Sequence, residues 1–205
     1  MIAALAHLVI ATISSLGYAG VAVLMALESA CIPIPSEVIL PFAGYLVSTG
    51  RFDLWIVAIV GAIGCNIGST LAYAVGYAGG RPLVDRFGRY ILLDQTELAR
   101  VETFFARYGS LTVLISRMLP VIRTYIALPA GVARMNIWKF EIYTFVGSLP
   151  WCLALAYVGL RLGRAWETNP QLHSVMHIFT LATVAVLAAF AAWYALRLWR
   201  RRPAR

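Results

Sequence analysis

Between Glu28 and Gly44 the chain reads ESACIPIPSEVILPFAG, and this stretch limits the possible folds more than any other. Two carboxylates, Glu28 and Glu37, flank a Pro33-x-Pro35 break, and apolar sequence runs on both sides. Proline removes a backbone donor and interrupts a helix. Non-helical backbone at membrane depth survives only where protein or a wet cavity surrounds it. An acid near the bilayer centre costs at least about 2.5–3.5 kcal/mol, so it calls for a partner, a proton or a function. A solvated loop outside the membrane is the plain alternative. A second stretch of the same plan argues against it.

The membrane setting follows from composition. The 205 residues are 61% hydrophobic and 13% charged, with a mean hydropathy of +0.79. Apolar runs of roughly 18 or more residues recur, which excludes a soluble domain and leaves one compact helical domain as the expectation. Sixteen Arg and one Lys bring the net charge to +8. They cluster at segment ends, where they read as positive-inside anchors that also meet anionic headgroups, not as a nucleic-acid surface. Cys31, Cys65 and Cys152 sit far apart inside apolar runs. Without metal spacing they read as small packing residues. The N-terminus lacks a basic n-region, so no cleaved signal peptide is expected.

The chain divides into six segments after an apolar start at residues 2–14, which contains His7 and is too short to span by itself. Residues 17–50 form a first re-entrant hairpin: a helix from Gly17 to Ile32, the proline pair, then Ser36 as N-cap of a half-helix from Glu37 to Val47. Halves of roughly 12–16 residues reach about 18–24 Å, short of a ~30 Å core. Residues 54–78 cross the membrane. Their Gly61, Gly64, Gly68, Ala72, Gly76 and Gly80 form a stripe of small residues for close helix packing. Residues 81–107 hold five Arg and an Asp94/Glu97 capping pattern, the mark of an amphipathic helix on the cytoplasmic surface. Residues 109–134 form a second hairpin broken at Pro120. Residues 138–160, kinked at Pro150, and 172–198 cross again. His173 and His177 have no neighbouring carboxylate or thiol, so no metal site is expected there.

The two hairpins are versions of one plan with reversed charge. Setting Gly20 on Gly109 lays GVAVLMALE over GSLTVLISR, so Glu28 falls on Arg117. Each then continues to a proline break, a second charge (Glu37 or Arg123) and an LPFAG or LPAG ending at Gly44 or Gly131. The 81–107 segment and the 197–205 tail carry five Arg each, which places both in the cytoplasm. The hairpins then enter from opposite faces, as in inverted-repeat transporters. Arg161 and Arg164 fall outside as an exception. The expected fold is an all-α polytopic membrane protein, an inverted repeat of two opposed re-entrant hairpins plus about three full crossings. Glu28 and Glu37 would meet Arg117 and Arg123 in one polar site, offsetting part of the desolvation cost. The arginine fork suits phosphate, and a buried Glu suits proton exchange. A static ion-pair set that only fixes the hairpins is the structural alternative.

The motifs are E-x4-P-x-P-S-E (Glu28 to Glu37), L-P-F-A-G (Leu40 to Gly44), G-x3-G-x4-Y-x2-G (Gly64 to Gly76), F-x-R-Y-G (Phe105 to Gly109), R-x2-P-x2-R-T (Arg117 to Thr124) and L-P-A-G (Leu128 to Gly131). Taken together, over residues 17–160, they resemble the DedA family of membrane proteins, also described as the SNARE-associated or VTT-domain group. The resemblance implies two opposed re-entrant hairpins and lipid transport. Bacterial members move undecaprenyl phosphate across the cytoplasmic membrane, others are tied to phosphatidylethanolamine, and eukaryotic relatives scramble phospholipids. The family's important acids and arginines map to Glu28, Glu37, Arg117 and Arg123, and some members carry Asp where this chain has Glu37.

The expectation is therefore a lipid carrier for an anionic polyprenyl phosphate in the bacterial inner membrane, with its C-terminus in the cytoplasm. Arg117, Arg123, Ser36 and Thr124 would bind substrate, and Glu28 and Glu37 would couple protons. Pro33, Pro35, Pro120, Gly44 and Gly131 would shape the turns. The expected partners are the lipid and the bilayer, with no cofactor, metal or nucleic acid; a homo-oligomer is admitted. A phospholipid flippase or scramblase is the alternative, and a structural scaffold a further one. A lipid phosphatase would need a nucleophile with its base, or a metal cluster, and neither Ser36 nor Ser116 has a His nearby.

Overall fold

The computed structural model of the protein describes residues 2–32, 34–91, 109, 111–118 and 122–166. Its regular structure is α-helix, with no strand among the described residues. In order these are α1 (Ile2–Leu16), α2 (Tyr18–Ser29), α3 (Ser36–Ser48), α4 (Leu54–Ile91), α5 (Leu111–Arg117), α6 (Ile122–Tyr125), α7 (Ala127–Val132) and α8 (Ile137–Trp166). The breaks at Pro33 and Pro120, the segment 92–107, the crossing expected at 172–198, its two histidines and the C-terminal tail lie outside the described residues.

Two stretches, Leu54–Gly79 in α4 and Ile137–Gly163 in α8, are apolar and longer than a membrane crossing needs. α4 runs on as one helix to Ile91, so the segment expected to begin at residue 81 starts as its continuation. Ile56, Ile59, Ile63, Ile67, Leu71 and Val75 are exposed along α4, while Cys65 and Ser69 are buried. Apolar outside and polar inside reverses the pattern of a soluble helix and suits a lipid surround.

The shorter helices end where local chemistry stops them. Gly17, at φ +62°, separates α1 from α2 and turns the chain so that Gly20 rests on the Thr12 carbonyl. α2 ends at Ser29, short of the expected Ile32, because Cys31 adopts φ +69° and cannot continue a helix. α3 corrects the expected N-cap: Pro35 caps the helix in an extended conformation, and Ser36 is its first residue. Proline delivers the chain at a preset φ, which leaves the Ser36 hydroxyl turned into the core. Pro41 inside α3 has no N–H for the Glu37 carbonyl, so the turn bearing Glu37 is loosened.

The hairpin ends dock in two matching crossings, α3 along α8 and α7 along α4. In the first, Gly44 lies against the Ala156 carbonyl and Gly159 against the Pro41 carbonyl. In the second, Gly131 lies against the Tyr73 carbonyl and Gly76 against the Leu128 carbonyl. On all four helices the carbonyl precedes the glycine by three residues, so each LPFAG or LPAG motif meets a long helix in the same register. A Cβ at any of these glycines would collide with backbone, which cannot swing aside. Gly76→Ala and Gly159→Ala are each expected to destabilise the fold by about 1–3 kcal/mol, the usual cost of overpacking, read as a lower midpoint of SDS unfolding in micelles. Gly163→Ala, which meets the movable Ser48 and Tyr45 side chains, should cost less.

Candidate functional site

Charged groups from both hairpins converge between α4 and α8. Glu28, 7% exposed, sits near the end of α2. Arg117 ends α5 and Arg123 lies in α6, at 1% and 2% exposure. Arg123 Nη2 donates to Glu28 Oε2 at 3.1 Å, a salt bridge closed across 95 residues of sequence. The same guanidinium reaches Cys65 Sγ at 3.6 Å and stands 5.3 Å from the centre of the Trp151 ring. Arg117 Nη2 donates to Ser69 Oγ at 2.5 Å, and its stem packs on Gly147 of α8. Arg117 and Arg123 repel each other, and Glu28 attracts both. Glu37, half-buried, lies close enough to act on Glu28 and Arg123. Cys65 and Ser69 fall near the middle of the α4 apolar stretch and Trp151 near the middle of that in α8.

The remaining expected site residues sit around this cluster. The buried Ser36 hydroxyl is beside Glu28. The Thr124 carbonyl accepts a hydrogen bond from Cys31 Sγ at 3.4 Å, so the ends of the two hairpins touch. Gly44 and Gly131 make the crossings described above, and Pro35 caps α3. The repeat alignment sets Glu28 opposite Arg117 in sequence; in space Glu28 pairs with Arg123 instead. Among the described residues no three His, Cys, Asp or Glu side chains gather as a metal site would require.

Three side chains in the site escaped the sequence reading, Cys65, Ser69 and Trp151, and so did the half-buried Glu141, which lies outside it, ten residues before Trp151 on α8. Glu141 accepts hydrogen bonds from Asn66 Nδ2 at 2.7 Å and from Thr70 Oγ1 at 2.5 Å. Asn66, Ser69 and Thr70 interrupt an otherwise apolar span, and that was the available signal.

The chemistry of the cluster is set by donors left over. A guanidinium offers five N–H groups, yet Arg117 Nε and Nη1 and Arg123 Nη1 are buried with no partner. Trp151 Nε1 and Ser36 Oγ are in the same condition. Each unsatisfied buried group costs about 1–3 kcal/mol. One carboxylate salt-bridged to Arg123, with Arg117 nearby and spare donors on both guanidinium groups, is a site short of acceptors.

An all-helical chain with two long apolar helices, proline-interrupted short ones and a sealed acid–arginine cluster between them is an integral membrane protein of the transporter type. The VTT domain family matches residues 34–161, and the chain belongs to that family, the DedA group of membrane proteins. It is 37% identical over 155 residues to undecaprenyl phosphate transporter A of Bacillus subtilis, which covers 76% of either chain. It is 35% identical over 189 residues to the uncharacterized membrane protein YkoX of the same organism, covering 92% of this chain and 82% of that one. With protein DedA of Escherichia coli it shares 24% over 155 residues, 75% of this chain and 68% of that one. No solved structure matches the chain. The protein is a membrane transporter of this family and not an enzyme.

Proposed function

We propose that the protein carries an anionic polyprenyl phosphate, of the undecaprenyl phosphate type, across the bacterial cytoplasmic membrane. The observation that carries this reading is the set of unpartnered donors on Arg117, Arg123 and Trp151, buried beside an occupied carboxylate. A phosphate supplies planar, doubly charged acceptor edges that such forks hold with two parallel bonds. The printed name of the Bacillus relative supports the same substrate.

In this reading the headgroup seats on the guanidinium of Arg117, sharing Nη2 with Ser69, near Ser36 and Thr124, and competes with Glu28 for Arg123. Glu28 and Glu37 take up protons as the phosphate arrives and release them as it leaves. The polyprenyl tail stays in lipid. The two hairpins form an inverted repeat that enters from opposite leaflets, with the C-terminus in the cytoplasm. The matched glycine crossings and the Cys31–Thr124 contact support that arrangement. The test is reconstitution in liposomes with head-labelled undecaprenyl phosphate. Faster flipping than in protein-free vesicles, resisted by excess unlabelled polyprenyl phosphate but not by phosphatidylethanolamine, is the expected result. Equal competition by phosphatidylethanolamine would move the assignment to a phospholipid flippase.

A further inference from the structure

We infer that a hydrated file along one stripe of α8 joins Glu141 to the buried arginine cluster, with Glu141 as its proton-exchanging outer end. Glu141, Thr144, Ser148 and Trp151 follow one another at steps of three, four and three residues, which aligns them on one helix face. Ten residues at 1.5 Å make a track of about 15 Å. Its inner end is the Trp151 ring against Arg123, and Arg117 packs on Gly147 beside Ser148.

The hydroxyls on this stripe, like those of Ser36 and Thr112, have no hydrogen-bond partner among the described residues. A Ser or Thr within a helix commonly satisfies itself by donating to the carbonyl one turn back, as Thr12, Ser15, Thr70 and Ser116 do. Thr144 and Ser148, at 0% and 1% exposure, do not, and no other protein group satisfies them. Trp151 Nε1 and the Thr112 hydroxyl of α5, which packs along α8, also lack partners. Buried polar groups that protein leaves unpaired are satisfied by water where several converge. Four of them between a carboxylate and two guanidinium groups describe a wet track.

A cavity of about 350 Å³ lined by Tyr73, Tyr77, Arg134, Met135, Asn136 and Ile137 lies near the start of α8. Ile137 lies one turn before Glu141 on the same face, and Tyr73 one turn beyond Thr70. Glu141 is half-buried, one turn along α8 from the cavity-lining Ile137, and Asn66 and Thr70 fix its carboxylate. The charged or titratable groups around it are Arg117 from α5 and Tyr73 from α4, whose ring packs on Phe140. Tyr77 and Arg134 stack on each other at the cavity, and Lys139 and Tyr143, two residues to either side, point to other faces. Intramembrane acids that are paired and reach a wet cavity are the usual stations of a proton relay.

This inference rests on the proton-coupled carrier reading for its purpose but not for its test. X-ray hydroxyl-radical labelling of the full chain in liposomes marks side chains that touch water. Trp151, half-buried with its Nε1 enclosed, should be labelled in the wild type, and a Thr144→Val, Ser148→Val protein should lose that label while Trp138 keeps its own. Absence of label on wild-type Trp151 overturns the file whatever the protein transports. In the lipid-flipping assay, an imposed pH gradient should accelerate the wild type, and Glu141→Gln should cut that acceleration at least about tenfold, a modest share of what a lost proton-transfer group removes. Binding of head-labelled polyprenyl phosphate should stay unchanged, and Glu141→Asp should restore part of the acceleration. Full acceleration in Glu141→Gln, or a loss of lipid binding equal to the loss of rate, would remove Glu141 from the path. Labelled Trp151 in a protein that moves no polyprenyl phosphate would end the carrier reading and leave the file standing.

Discussion

An Arg117→Ala, Arg123→Ala protein is expected to flip head-labelled polyprenyl phosphate about a hundredfold to ten-thousandfold more slowly than the wild type. A hydrogen bond to a charged group contributes roughly 1.5–3 kcal/mol, and each 1.4 kcal/mol is about a factor of ten. Removing one such contact from each arginine therefore accounts for the range. Arg117 is the more informative of the two, because among the described residues its hydrogen bond goes to Ser69 and two of its nitrogens have no partner. An Arg117→Lys protein keeps the charge and loses the fork, and should fall well below wild type if two parallel bonds hold the phosphate. Wild-type rates in the double alanine protein, at equal reconstitution, would show that the arginines only hold the hairpins together.

The second large effect is on stability. Arg123→Ala leaves Glu28 buried without its cation and should cost about 3–5 kcal/mol, the usual penalty for stranding one partner of a buried pair. Replacing both members, as Glu28→Gln with Arg123→Gln, removes both charges and keeps hydrogen-bonding capacity. That protein should return to within about 1 kcal/mol of wild type, because a buried pair exchanged as a unit is often close to neutral. The SDS-unfolding midpoints of the wild type, Glu28→Gln, Arg123→Gln and the double variant form a cycle whose coupling reports the 3.1 Å contact directly. A double variant as unstable as the sum of the singles would mean that Glu28 and Arg123 do not pair in the folded protein. Transport should be lost in all three variants, which separates the carrier role from the structural one.

The parts of this site that were legible in the sequence are those whose energetics are local. Glu28, Glu37, Arg117 and Arg123 stand out because a charge in an apolar run is costly wherever it ends up. The prolines stand out because they remove a donor in any fold. The glycine stripe of α4 pointed to close packing, whereas Gly44 and Gly131, expected to shape turns, lie inside α3 and α7 and make carbonyl contacts with the long helices. Ser36 was misread as an N-cap because its residue type fits the role, whereas the fixed φ of Pro35 fills it one residue earlier.

What required three dimensions was the partner of each charge. The sequence brought Glu28 and Glu37 toward Arg117 and Arg123 without assigning pairs, and the structure pairs Glu28 with Arg123. Ser69, Cys65 and Trp151 are unremarkable in their own spans and join the site only because the glycine contacts bring α4 and α8 against the hairpins. Glu141 was one acid among nine until Asn66 and Thr70 closed on it from another helix.

By itself, then, the sequence determined a helical membrane protein with two oppositely charged, proline-interrupted segments, since apolar length, proline and buried charge act within a few residues. Only the tertiary structure decided which acid neutralises which arginine, which donors are left over, and that the α8 stripe reaches them. Those outcomes depend on helix rotation and crossing, set by backbone contacts at glycines between segments far apart in the chain.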